Sequence, residues 1–154
     1  HLIFRTAWVY GRRGGNFMLT MIRLMKDRDE LRVVADQHGT PTWCRTLAEV
    51  PASIVRSHWS TPGRRGELAS LSGVYHLTQA GATTWHAYAE AVRDMAPELA
   101  TRRAVKVHPI TTAEYPLPAK RPAYSVLDNG KLERTFGLRQ ADWRQALAAC
   151  LADA

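Results

Sequence analysis

The chain has 154 residues, 45% apolar and 23% charged, the proportions of a globular domain, and a chain this long buries about 70% of its unfolded surface, so one ordinary core is feasible. That composition excludes disorder and collagen-like order, and no apolar run approaches the roughly 20 residues of a membrane span. Twenty-one basic against 14 acidic residues give a net charge of +7, a surface that attracts nucleic acid, phosphorylated metabolites or acidic proteins.

Residues 2–10 form a nearly continuous apolar, β-type run, which predicts a buried strand of a parallel sheet. The run opens the chain with no Met and no turn residue ahead of it, so the expectation is that part of a larger protein precedes it. Standing alone, its unpaired edges would favour self-pairing or aggregation. Gly11-Arg-Arg-Gly-Gly15 breaks the run, and Asn16 is a good N-cap for a helix over 17–25 with apolar residues at helical spacing. A short strand follows at 31–35, then a turn-rich loop, Asp36-Gln-His-Gly-Thr-Pro-Thr42. Thr46 and Glu49 at capping-box spacing predict a second helix through Val55, in which Pro51 implies either a later start or a kink. A loop at 60–66 leads to a strand at 73–78.

The clearest helical period is Trp85, Tyr88, Ala89, Val92 and Met95, with Thr83 and Thr84 as cap candidates. Residues 105–110 read as a strand, and 111–122, with Pro116, Pro118 and Pro122, as an irregular segment. Asp128 is placed to cap a short helix that Gly137 stops, and Asp142 precedes a last helix with Trp143, Ala146, Leu147, Cys150 and Leu151 on one stripe. The class is α/β.

Local motifs exclude much chemistry. There is no phosphate-binding G-x-x-x-x-G-K-[ST], no G-x-G-x-x-G after a strand and no G-x-S-x-G. The histidines show no metal-ligand spacing and are assigned structural or surface roles. Cys44 and Cys150 form no C-x-x-C and read as buried thiols, which makes a reducing cytoplasm the default compartment. Trp43, Trp59, Trp85 and Trp143 read as packing. The basic residues occur as scattered pairs without an aromatic platform, so nucleic acid is not the expected partner; nor is a membrane.

Longer strings say more. Arg5-Thr-Ala-Trp-Val-Tyr-Gly11 is followed by Gly15-Asn-Phe17 and a Thr-Met-x-Arg-Leu helix, then by Val34-Ala-Asp-Gln-His-Gly-Thr-Pro-Thr42. Gly73-Val-Tyr-His-Leu-Thr78 comes next, with Gly81 and Trp85. Thr112-Ala-Glu-Tyr-Pro116, Pro118-Ala-Lys-Arg-Pro122 and Ser125-Val-Leu-Asp-Asn129 complete the set. In this order they resemble the C-terminal half of the dTDP-4-dehydrorhamnose reductase family of extended short-chain dehydrogenases/reductases, over nearly the whole chain.

The resemblance implies a Rossmann-type fold of which residues 1–154 are the last sheet strands and a small substrate lobe, the N-terminal dinucleotide-binding domain being absent from this chain. It implies reduction of the 4-keto group of dTDP-4-dehydro-L-rhamnose by NADPH or NADH. The family also includes metal-assisted dimers, so Mg2+ and a homodimer belong to the same expectation, although no local cluster marks the ligands. Its catalytic Tyr-x-x-x-Lys is missing here, because the five tyrosines are followed four residues later by Gly14, Gln79, Val92, Ala119 and Asp128. The chain alone is expected to bind the dTDP-sugar at most. The alternative is a non-catalytic binding protein of the same fold, like the methionine adenosyltransferase regulatory subunit.

Carried onto this sequence, the resemblance makes Trp8 the leading substrate-binding candidate, packing on the sugar at a strand end, where open α/β sheets bind ligands. Thr6 and Ala7 would flank the nicotinamide side of the same crevice. Asn16 and Phe17 are candidates for the nucleotide-sugar, against plain N-cap and core roles. Arg121 could pair with the diphosphate, against an exposed, unengaged arginine. Gln37 and Thr42 would lie by the substrate lobe, against turn and cap roles.

Overall fold

The structure, a computed structural model, describes residues 1–59 and 66–153; of the 60–66 loop, all but Gly66 lies outside the described residues. In chain order the elements are β1 (Leu2–Arg5), β2 (Val9–Tyr10), α1 (Phe17–Asp27), β3 (Glu30–Val34), β4 (His38–Gly39), β5 (Thr42–Trp43) and α2 (Cys44–Trp59). Next come α3 (Glu67–Ser70), β6 (Gly73–His76), β7 (Thr83–Thr84), α4 (Trp85–Met95), β8 (Lys106–Ile110), α5 (Gly130–Phe136) and α6 (Trp143–Ala152). Short 3-10 turns occupy Pro97–Arg102 and Thr112–Glu114.

The strands pair two by two. β1 with β6, β2 with β5 and β3 with β8 are parallel, and β4 with β7 is antiparallel. Parallel pairs need long crossovers, which the helices supply, so the expected α/β class holds.

Two apolar clusters support this frame. In the larger, Met18, Met21, Ile22 and Met25 of α1 meet Tyr88, Ala89 and Val92 of α4, Leu147 and Cys150 of α6, and Leu31, Val33 and Val107 of β3 and β8. The spacing i, i+3, i+4, i+7 in α1 puts its apolar residues on one stripe. In the smaller, Ile54, Tyr75, Leu77 and Leu132 are buried, with Leu2 and Phe4 of β1 packed against them.

The caps are local chemistry. Asn16 accepts from Leu19 N at 3.1 Å and donates through Nδ2 to Gly11 O at 2.8 Å, tying α1 to the turn before it. At the other end of α1, the Arg102 guanidinium donates to the carbonyls of Met25 and Arg28 and to Asp29 Oδ1, where cations favour a helix C-terminus. Thr84 caps α4 by accepting from Ala87 N. Asp128 accepts from Gly130 N at the start of α5, while Asn129 clasps the backbone N–H and carbonyl of Thr78. Gly137 ends α5 at φ 68° with its N–H on Glu133 O, a left-handed position suited to glycine.

Four readings are corrected. The strand expected over 2–10 is two strands, separated by Thr6, Ala7 and a left-handed Trp8 at φ 50°. It is not buried on both faces either, since Ile3 and Val9 are 48% and 45% exposed. The alternation of β1 turns Leu2 and Phe4 inward and Ile3 outward, and the apolar run concealed that alternation. The Thr46/Glu49 capping box is not the start of α2, which begins at Cys44 and runs through Pro51; Glu49 instead pairs with Arg45 at 2.7 Å. Cys150 is buried, its thiol pushed up to about 11 by burial, but Cys44 is exposed. Trp59 is exposed as well, whereas Trp43, Trp85 and Trp143 belong to the larger cluster.

Candidate functional site

A cleft of about 1060 Å³ opens between one side of α1, from Phe17 to Leu24 with Arg28 just beyond it, the strand β3 and the proline-rich segment 111–125. It runs the whole length of β3, from Glu30 to Val34. One wall is aromatic and one flank is charged.

The aromatic wall is Trp8, Trp85 and Phe17. The Trp8 and Trp85 rings stack at 3.5 Å with only 10° between their planes, and Phe17 tilts against Trp85 at 4.7 Å. Phe17 also stacks on Tyr88 at 5.5 Å, and Tyr88 meets Tyr10 and Trp143 in turn. The wall is therefore the exposed end of an aromatic ladder rooted in the larger cluster. Stacked and edge-on pairs of this kind add about 0.5–1.5 kcal/mol each beyond their area. Burial raises the Tyr10 and Tyr88 hydroxyls far above the usual phenol range, so both stay protonated and serve as packing.

The backbone presents Trp8. Trp8 O accepts from Thr42 N at 3.0 Å, while φ of 50° turns the residue out of the β1–β2 line. For a bulky side chain this conformation costs roughly 1–3 kcal/mol and persists only where its surroundings enforce it.

On the charged flank, Arg28, Arg32 and Arg121 face Glu30 and Glu114. Arg32 is spent on Glu114 at 2.7 Å and Glu30 lies near Lys106 at 3.6 Å. Arg28 and Arg121 have no ion-pair partner among the described residues, which leaves the flank positive. Asp36 anchors the segment at its start, accepting from Thr112 N and Oγ1. At its far end His38 N donates to Ala123 O and Ser125 N to His38 O. Tyr115, Leu117, Arg121 and Pro122 hang between these ties and line the cleft.

Of the residues singled out in the sequence, the cleft brings together Ala7, Trp8, Phe17, Gln37 and Arg121. Gln37 is buried with Nε2 donating to Thr112 Oγ1 at 3.0 Å, so it also supports the segment. Thr6 is exposed just outside the lining. Asn16 is committed at both ends of its amide to backbone. Thr42 is fully buried with its hydroxyl on Thr40 O. Trp85, Arg28, Arg32 and Tyr115 were missed. Trp85 sits on the helical stripe and so reads as core, and only the β4–β7 pairing turns its ring toward Trp8.

The Gly11–Gly15 turn leads into a helix, but Asn16 already fills that helix N-terminus. No group of three or more His, Cys, Asp or Glu able to hold a metal occurs among the described residues, and none of their helices is long and apolar enough to cross a membrane.

Comparison with known proteins identifies the family and the fold. A curated dTDP-4-dehydrorhamnose reductase of Burkholderia thailandensis is 44% identical over 155 residues, covering 99% of this chain and 51% of that protein. The crystal structure of a dTDP-4-dehydrorhamnose reductase from Clostridium acetobutylicum superposes with a TM-score of 0.81 at 40% identity, over 98% of this chain and 48% of that one. The Bacillus anthracis dTDP-4-dehydrorhamnose reductase, solved in complex with NADP, gives 0.83 at 32% identity, over 99% and 48%. The chain spans about half the length of the curated relatives it matches, and its fold is part of the extended short-chain reductase fold. The RmlD substrate binding domain matches residues 1–154 from end to end, and the chain belongs to that family.

Proposed function

We propose that residues 1–154 are the substrate-binding portion of an NAD(P)H-dependent dTDP-4-dehydrorhamnose reductase, with the dinucleotide-binding domain supplied by residues outside this range. The observation that carries the reading is the cleft, lined by an aromatic wall and by two guanidiniums with no ion-pair partner among the described residues. A nucleotide-linked sugar has matching parts: a pyranose ring with an apolar face for Trp8 and a diphosphate for Arg28 and Arg121. The relatives are named dTDP-4-dehydrorhamnose reductase, and the reaction in this reading is reduction of the 4-keto group of dTDP-4-dehydro-L-rhamnose to dTDP-L-rhamnose. Ala7, with Thr6 beside it, would border the nicotinamide side. Residues 1–154 carry no Tyr-x-x-x-Lys, so no step of hydride transfer is assigned to these side chains. Gln37 lines the cleft and supports it through Thr112, and Thr42 supports it from within the fold.

The test uses the protein at its natural full length. It should oxidise NADPH when given dTDP-4-dehydrorhamnose, and Trp8→Ala should lower kcat/KM by about two- to tenfold, the scale of one lost stacking contact. A folded protein that neither turns over this substrate nor binds dTDP-rhamnose would sink the reading and favour a regulatory role.

A further inference from the structure

We infer that Gly39 is a positioning residue for the sugar contact, holding the Trp8 indole in its strained pose against Trp85. The inference rests on the reading of the cleft as a sugar-nucleotide site. A Cβ at position 39 would fall 2.5 Å from Trp8 Cζ2 and 2.6 Å from Nε1, far inside contact distance. Only glycine lets the backbone approach the indole this closely.

The same short ladder fixes both sides of Trp8. In β4–β7, Gly39 is in register with Thr83 and His38 with Thr84, and Thr84 caps the helix that starts at Trp85. Thr40 Oγ1 donates to Gly81 O at 2.7 Å, pinning the β4 side to the turn before β7. Residues 38–42 therefore set the gap in which the indole lies: Gly39 beside Nε1 and Cζ2, Trp85 on the ring face, and Thr42 N on the Trp8 carbonyl. Trp8 is the only non-glycine with positive φ among the described residues, so its pose needs such enforcement. A side chain at 39 drives the indole off Trp85 and out of the cleft wall without touching the ligand.

Two indoles at 3.5 Å couple excitonically wherever their transition dipoles are not parallel, and the resulting far-ultraviolet circular-dichroism couplet of wild type is a signature that ordinary destabilisation leaves in place while the protein is folded. In the full-length protein, Gly39→Ala should abolish the couplet, as Trp8→Phe and Trp85→Phe each should. It should also weaken dTDP-rhamnose binding about tenfold while leaving dTDP affinity within about twofold. In a Trp8→Ala background Gly39→Ala should add nothing to either affinity, because the group it displaces is gone. If Gly39→Ala alone fails to fold, the double variant should fold. A couplet and affinities retained in Gly39→Ala overturn the inference. So does a Gly39→Ala effect undiminished in the Trp8→Ala background, or a double variant that also fails to fold. Wild type that binds no dTDP-sugar would reject the proposed function instead, and the couplet and the double variant would still decide the role of Gly39.

Discussion

Asn16 shows how one residue can satisfy the expectations of a cap and of a ligand contact at once. Its carbonyl oxygen and its amide nitrogen are both engaged by backbone. Asn16→Ala should therefore cost about 1 kcal/mol of stability, read as a lower denaturation midpoint, with dTDP-rhamnose affinity unchanged. Loss of affinity in a folded Asn16→Ala protein would reinstate the ligand role. Arg121 is the opposite case: it is exposed, without an ion-pair partner among the described residues, and on the cleft. Arg121→Gln should weaken the dTDP-sugar, and the difference from wild type should shrink as salt is raised, because exposed charges are screened. Arg32→Gln should matter less to binding, since Glu114 already occupies that guanidinium.

At the scale of elements, the segment 111–125 is held at its start by carboxylates. Hydrogen bonds from Thr112 lower Asp36 below its ordinary 3.8. Those from Thr111, with Arg32 nearby, lower Glu114 below its ordinary 4.5. A depressed native pKa stabilises the fold above the unfolded value, and that contribution is lost as pH falls through the native value. The thermal midpoint of wild type should therefore exceed that of Asp36→Asn/Glu114→Gln above about pH 4.5. The gap should close as pH drops below 3.8. A gap that stays constant through that range would show that these carboxylates do not hold the segment. Much of this scale was legible in sequence, because caps and helical stripes are local: Asn16, Thr84, Asp142 and Gly137 all act within four residues of themselves. The break in the 2–10 run was not, because Ile3 and Phe4 are both apolar while only one faces a partner.

At the scale of the molecule, packing and binding are joined by the aromatic ladder from Trp8 through Trp85 and Phe17 to Tyr88. Leu147 lies deeper in the same cluster, fully buried and away from the cleft lining. Leu147→Ala should cost about 2–5 kcal/mol in denaturant unfolding yet leave dTDP-rhamnose affinity intact in the folded fraction. A proportionate loss of affinity would mean that the cleft wall yields with the core.

By itself the sequence determined the α/β class, the caps of α1, α4 and α6, the lack of a dinucleotide loop and of Tyr-x-x-x-Lys within residues 1–154, and the family resemblance that singled out Trp8. Each of these is written in neighbouring residues or in ordered strings. Only the tertiary structure decided which candidates share a cleft. Residues 8, 39 and 85 meet because two short strands pair across more than forty residues. Contacts between such distant segments leave no period or spacing in the chain. Gly39 stands in the sequence as one turn glycine among ten, and only the indole beside it shows what its missing side chain is for.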